Sequence, residues 1–369
     1  MKAIQWIISA LVAVVIIAAA VGGGVYFTRL KSIHSIRKLT DYEDYNLYRM
    51  DIDYAYDLDR LIDRGITDNQ SMINAILAEA LPYLPIHMKA PNFGCSAFCT
   101  QGTDGHTLMG RNYDFKNDTS AMLVYCTPKD GYASVAFAAL DNINANTPDA
   151  SMAKKLATLT APFICLDGMN EKGVSIAVLT LDSDPTYQQT GKPMIATTLA
   201  IRLVLDRAAT TAEAVELLSK YDMFASSGRD YHFYITDASG DGRVLEYDCN
   251  DPARPLTATP SRSVTNFFVM YKDNVLPNQR NGVYGHGRER YDAIEEILDA
   301  NAGSIDREIA WQALQAASQA PNPQDVTSNT QWSILYDNTA LTAEAVIRRD
   351  WNTKTSYDLV SNVAVTDVG

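Results

Sequence analysis

The chain has 369 residues, 47% hydrophobic and 20% charged, an ordinary globular composition with length enough for a sizeable core. A formal net charge of −13 excludes the basic face that a nucleic-acid partner ordinarily requires. Acidity of this size serves solubility.

Residues 1–28 read as either a signal anchor or a signal peptide. The run from Ile4 to Phe27 is almost wholly apolar and long enough to cross a bilayer. Small residues from Ala18 to Gly24 offer a place for signal peptidase. Lys2 precedes the run, while Arg29, Lys31, Arg37 and Lys38 follow it, so the positive-inside rule alone would keep the body cytoplasmic. A single apolar segment before a large domain is more often an export signal. The expectation is an extracytoplasmic body, membrane-anchored or secreted.

Residues 29–94 form either a pro-segment or an additional N-terminal layer. Thr40 to Asp63 is mixed and Tyr-rich. Asp68 to Leu81 has the spacing of a helix, with Ile73, Ile76, Leu77 and Leu81 on one side. Pro82, Pro85 and Pro91 end it and favour an extended approach to Cys95.

From Cys95 to Leu140 the pattern is four strands in two hairpins. In the first, Asp104-Gly105 is the turn signal between two alternating runs. With those two residues at the centre, paired positions sum to about 209. Cys95 then lies opposite Asp114, and Arg111 faces away unless a bulge near Gly110 turns it. The second hairpin joins Met122–Thr127 to Tyr132–Ala139. A polar loop, Asp141 to Ser151, follows. Phe163–Leu166 and Gly173–Leu181 read as strands around an Asp167–Gly173 turn. Thr197–Arg207 and Thr211–Tyr221 read as helices, the second with Thr210 and Glu213 as a capping box. Tyr231–Thr236 and Arg243–Tyr247 read as a hairpin, Val264–Val269 as a strand holding Asn266, and Arg290–Ala300 and Asp306–Ala317 as helices. Strands near Ser333–Tyr336, Ala343–Arg348 and Tyr357–Leu359 end the chain. This order implies an α+β body of stacked sheets covered by helices.

The sequence has no HExxH, no GxGxxG after a strand, no Walker loop and no GxSxG. Of its five histidines, His106 sits in the hairpin turn and His232 alternates within a strand, while His286, between two glycines, is the most open to a chemical role. Five cysteines leave at least one thiol free, and Cys99, Cys126 and Cys165 read as buried small hydrophobes. Cys95 differs because it follows Gly94 and lies near Arg111 and Asp114. A cysteine nucleophile needs a base and a group that favours its thiolate. Cleavage between Gly94 and Cys95 would supply an α-amine of pKa about 7.7–8 as that base. Asp114 would orient the amine and Arg111 would stabilise the thiolate. The alternative reading of Arg111 and Asp114 is a surface strand with paired charges.

Cys95, Gly110-Arg-Asn-Tyr-Asp114, Asp167-Gly-Met-Asn-Glu-Lys-Gly173 and Val264-Thr-Asn266 together resemble the choloylglycine hydrolase family. That family includes bile salt hydrolases and penicillin V acylases, with acid ceramidase more distantly related. The resemblance runs from Cys95 to the C-terminus and implies a four-layer αββα N-terminal-nucleophile catalytic domain over 95–369. It implies Cys95 as nucleophile, its amine as base, Arg111 and Asp114 as supporting pair, and Asn266 as oxyanion donor. The second oxyanion position falls on Thr180, where the family usually has asparagine or tyrosine; its hydroxyl or the backbone could serve. The late arginine falls on Arg290. The implied reaction is hydrolysis of a linear, non-peptide amide through an acyl-thioester, with no metal or organic cofactor. Implied partners are a small acyl-amide substrate, a membrane if the N-terminal segment is retained, and, compatibly, further copies of the chain. Alternatives are an acyltransferase on the same scaffold and a membrane-anchored, non-catalytic binding protein. The long segment before Cys95 departs from the bile salt hydrolases and demands internal cleavage.

Overall fold

The computed structural model describes residues 23–82, 94–280, 282–324 and 328–368. The expected anchor or signal lies outside these except for its end, which opens helix α1 (residues 23–34). Among the described residues no helix is long and apolar enough to cross a membrane.

After α1 come β1 (Arg37–Lys38), β2 (Leu47–Ile52), α2 (Leu58–Ile62) and α3 (Asn69–Ala80). Four strands follow: β3 (Gly94–Gln101), β4 (Thr107–Asp114), β5 (Ala121–Cys126) and β6 (Ser134–Ala139). The middle of the chain holds α4 (Met152–Ala157), β7 (Cys165–Asn170), β8 (Ser175–Leu181), β9 (Met194–Ala196), α5 (Thr197–Arg207) and α6 (Thr211–Leu218). Then come β10 (Asp222–Phe224), β11 (Asp230–Thr236), β12 (Arg243–Tyr247), β13 (Leu256–Pro260), β14 (Ser263–Val264), β15 (Asn266–Phe267) and β16 (Gly285–His286). Helices α7 (Arg288–Ala300) and α8 (Arg307–Ala317) precede β17 (Thr330–Asp337), β18 (Thr342–Ile347), β19 (Thr353–Asp358) and β20 (Val363–Val368).

Two sheets carry the fold. One runs β1-β2-β5-β6-β7-β8-β11-β12-β13, the other β14-β3-β4-β17-β18-β19-β20. Helix α5 covers β7 and β8 with α6 beside it, while α8 covers β4 and β17 with α7 beside it. The arrangement is the expected α+β body of stacked sheets with helices outside. Alternation of side chains divides the work of the second sheet. Phe98, Leu108, Leu335 and Val346 point to α7 and α8, where they meet Ile294, Leu298, Trp311 and Leu314. Ala97, Cys99, Met109 and Tyr113 belong instead to the main core. Each fully buried large apolar side chain stabilises this packing by about 1.5–3 kcal/mol.

Strand β2 is a feature that the sequence pattern hides. Arg49 and Asp51 interrupt its apolar run, yet Arg49 Nε donates to Asp51 Oδ1 at 2.9 Å and Nη2 to the Asn362 carbonyl at 3.0 Å. With those charges satisfied, β2 pairs in parallel with β5 inside the first sheet. The segment before Cys95 is therefore built into the sandwich.

Two other elements differ from the sequence reading. Asp167 lies within β7, not in a turn, and the turn closes over Glu171–Gly173. Asn170 holds that turn: its Oδ1 accepts from the backbone of Lys172 and Val174, and its Nδ2 donates to the Leu205 and Ala208 carbonyls. The strand expected at Val264–Val269 breaks at Thr265. Its first half pairs with β3, and its second half, carrying Asn266, leaves to pair with β16.

Candidate active site

The hairpin that carries Cys95 has a three-residue loop. Gly102 N donates to the His106 carbonyl at 2.8 Å, and Gly105 adopts φ +81° between them. A turn closed by a residue in the left-handed region is a common three-residue hairpin. The extra loop residue moves the register by one. Cys95 pairs with Tyr113, Gly94 with Asp114, and Ala97 with Arg111. The expected Cys95–Asp114 pairing is thus corrected, and so is the expected bulge. Directly opposed residues share a face of the ladder, so Arg111 stands on the Cys95 face without one. Gly110 serves a different need: it faces Phe98, whose ring fills the space a Cβ would take.

Cys95 is wholly buried, and the Arg111 guanidinium lies near enough to its sulfur to favour the thiolate. Burial pushes the thiol up to about 11; Arg111 opposes the rise and Asp114 adds to it. In the uncut chain the thiol is therefore protonated at neutral pH. Arg111 is itself fixed on every side. Its Nε lies 3.3 Å from Asp167 Oδ2, its Nη1 donates to the Asn112 carbonyl at 2.6 Å, and its Nη2 to the Val178 carbonyl at 3.0 Å. Asp167 also accepts from Trp332 Nε1 at 3.1 Å and from the Tyr336 hydroxyl at 2.6 Å. Sequence reasoning gave Asp167 no chemical role because its motif read as a turn. A carboxylate three residues before a turn-forming asparagine, at strand parity, was the available signal.

Asp114 points to the other face of the hairpin yet stays within the same network. Its carboxylate accepts from Thr330 at 2.6 Å and Gln319 at 2.8 Å, with Arg290 Nη1 at 3.4 Å. Burial raises its pKa, against the charge of Arg290 and these hydrogen bonds. Arg290, in the first turn of α7, also donates to the Cys95 carbonyl at 2.8 Å and to Asn266 Oδ1 at 2.7 Å.

Asn266 joins the pieces. Its Oδ1 accepts the Cys95 backbone N–H at 3.1 Å, and its Nδ2 donates to the Thr180 carbonyl at 2.9 Å. Arginine can only donate and a carbonyl can only accept, so the amide orientation is fixed by its partners. Thr180 enters through its backbone. The Val178 carbonyl receives Arg111 from β4 and the Thr180 carbonyl receives Asn266 from β15, and in a strand the N–H and C=O of one residue leave the same edge. The Thr180 N–H therefore faces the site as well. Its side chain lies on the face opposite Ala177, whose partner Asp167 points to Arg111. The Thr180 hydroxyl is buried with no hydrogen-bond partner among the described residues.

The six residues singled out from sequence thus lie together around Cys95, with Asn266 on its nitrogen and Arg290 on its carbonyl. Other candidates fall elsewhere. Cys99 Sγ contacts Thr236, and Cys126 and Cys165 are buried. His232 is held by Glu246 and the Thr265 carbonyl, His106 by Asp337 and His286 by Asp182. Among the described residues no group of three or more His, Cys, Asp or Glu side chains could hold a metal ion.

Residues 95–251, which begin at this cysteine, match the model of the linear amide C–N hydrolases, choloylglycine hydrolase family. Over that region the chain is similar to the choloylglycine hydrolase family. It is accordingly a hydrolase acting on C–N bonds of linear amides. Solved structures share the fold. A variant of conjugated bile acid hydrolase from Clostridium perfringens superposes with TM-score 0.53 at 15% identity, covering 74% of this chain and 97% of its own. Penicillin V acylase from Agrobacterium tumefaciens gives TM-score 0.51 at 18% identity, covering 72% of this chain and 86% of its own.

Proposed function

We propose that this protein is an N-terminal-nucleophile amidase in which Cys95, freed by cleavage after Gly94, attacks an N-acyl amide. The observation that carries this reading is the bond from the Cys95 nitrogen to Asn266 Oδ1 at 3.1 Å. One peptide cleavage would turn that nitrogen into an amine already held in place, beside its own thiol.

The amine takes the thiol proton, and the sulfur attacks the substrate carbonyl. Arg111 stabilises the thiolate. Negative charge on the tetrahedral oxygen is received by the Thr180 N–H and by the Asn266 Nδ2 proton that Thr180 does not occupy, an effect commonly worth about 3 kcal/mol. Collapse breaks the C–N bond, and the leaving amine takes the proton from the Cys95 ammonium. The resulting acyl-thioester is attacked by water, with the α-amine again as base, releasing a carboxylic acid and restoring the thiol. Arg290 and Asp114 orient Asn266 and the Cys95 backbone throughout.

Candidate substrates are conjugated bile salts, N-acyl amino acids, N-acyl lactones and phenoxyacyl amides. The apolar Ile4–Phe27 run supports an exported body, tethered or secreted. Incubation of the purified full chain with these amides, with and without an added amine, tests the reading. Release of free acid that depends on Cys95 is expected. Acyl transfer to the amine without free acid would favour a transferase, and no turnover of any amide would remove the amidase reading.

A further inference from the structure

We propose that the buried His232–Glu246 pair positions Asn266 as an oxyanion donor by gripping the backbone on both sides of it. The inference rests on the amidase reading and adds to it two positioning residues that do not touch the reacting atoms.

His232 on β11 and Glu246 on β12 lie one step beyond the Phe233–Leu245 pair of the first sheet, and both are wholly buried. His232 Nδ1 is 3.0 Å from Glu246 Oε1, and its Nε2 is 2.9 Å from the Thr265 carbonyl. A carboxylate and a carbonyl only accept, so the ring makes both bonds only with a proton on each nitrogen. Glu246 also accepts the Val269 N–H through Oε1 at 2.6 Å and the Met270 N–H through Oε2 at 3.0 Å. Bonds from N–H groups to both oxygens are of the charge-assisted kind that an ionised carboxylate forms. The geometry is therefore that of an imidazolium set against a carboxylate. The other charged groups on β11, β12 and β16 have partners of their own: Asp230 with Arg254, Arg243 with Asp241, and His286 with Asp182.

The pair acts where the chain changes sheets. Val264 pairs with Ala97 of β3, while Asn266 pairs with His286 of β16. Thr265, between them, has its carbonyl held by His232 and its hydroxyl donating to the Gly287 carbonyl at 2.9 Å. Val269 and Met270, just past β15, hang on Glu246. One ion pair thus fixes the backbone before and after Asn266, whose amide spans the Cys95 nitrogen and the Thr180 carbonyl. Sub-ångström placement of such a donor decides how well it meets charge on the tetrahedral oxygen.

The test is a double-mutant cycle on processed enzyme separated from uncut chain, with thermal unfolding followed in parallel. His232→Gln and Glu246→Gln should each lower kcat about tenfold or more and leave KM within about twofold, because Asn266 acts on charge that develops only in the transition state. In an Asn266→Ala background the same substitutions should change kcat by less than about twofold, since the donor they position is gone. Equal factors in both backgrounds, or a lower melting temperature with wild-type kcat, would make the pair a core ion pair only and overturn its positioning role while leaving the amidase intact. Nitrogen NMR of the histidine-labelled full chain, assigned by the signals lost in His232→Gln, needs no altered site. Both ring nitrogens of His232 should carry a proton at neutral pH, and one bare nitrogen would overturn the two-sided grip. Failure of wild type to cleave any amide in a Cys95-dependent way would remove both readings.

Discussion

Replacing Arg290 by lysine tests whether a single planar fork organises the site. Arg290 makes two short charge-assisted bonds, to the Cys95 carbonyl at 2.8 Å and Asn266 Oδ1 at 2.7 Å, and a longer one to Asp114 at 3.4 Å. A lysine ammonium keeps the charge but cannot span these three acceptors in one plane. Each short bond is worth about 1.5–3 kcal/mol. With one bond retained and Asp114 still neutralised, the net loss should be about 2–4 kcal/mol, or roughly 30- to 900-fold in rate. The processed enzyme is separated from uncut chain before kcat is measured, and thermal unfolding is followed in parallel. A large loss of kcat with little change in melting temperature is expected, because the buried Asp114 keeps a cation. Wild-type kcat in Arg290→Lys would refute the reasoning and show that Asn266 is oriented without the fork.

Three further outcomes can be checked. Asp167→Asn removes the carboxylate from Arg111 while keeping the shape, so Arg111 should lose its fixed position beside the Cys95 sulfur; kcat should fall at least tenfold and the pH profile of kcat/KM should shift, whereas a loss of thermal stability alone would make Asp167 merely structural. Stability should decline in alkali: burial raises the Cys95, Cys99 and Cys126 thiols from 9.0 to about 11, so the folded chain holds these protons more tightly than the unfolded one. The contribution is complete below pH 9 and lost as pH rises through about 11, up to roughly 3 kcal/mol per thiol, and urea titrations from pH 8 to 11 that show a flat midpoint would contradict it. After cleavage the N-terminal piece should remain bound, because β2 lies inside the sheet and Tyr54 and Tyr56 donate to the Leu159 carbonyl and Asp206; both pieces should co-elute in buffer and separate only in denaturant, and native dissociation would count against this.

The sequence made the site more legible than its geometry. Residue type and spacing pointed to Cys95, Arg111 and Asp114, the family resemblance added Asn266 and Arg290, and the structure brings the five into one network. The hairpin register was missed because Asp-Gly was read as a two-residue centre, and one additional loop residue exchanged the faces of Arg111 and Asp114. For Thr180 the sequence left hydroxyl and backbone both open; strand parity turns its hydroxyl away and its backbone inward. Helix α5 was legible to its end residues because its apolar spacing is local. Strand β2 was not, since its buried Arg49 is satisfied by Asp51 and by Asn362, the second far along the chain, a partner no local pattern displays.

The central claim is that the nitrogen now held by Asn266 becomes the amine of a catalytic N-terminus. N-terminal sequencing and intact mass of the species that hydrolyses amide, isolated from wild type and from Cys95→Ala, test it most directly. The account predicts an active chain beginning at Cys95 and an uncut, inactive Cys95→Ala protein. Active enzyme with the Gly94–Cys95 bond intact, or a cut at some other residue, would contradict it.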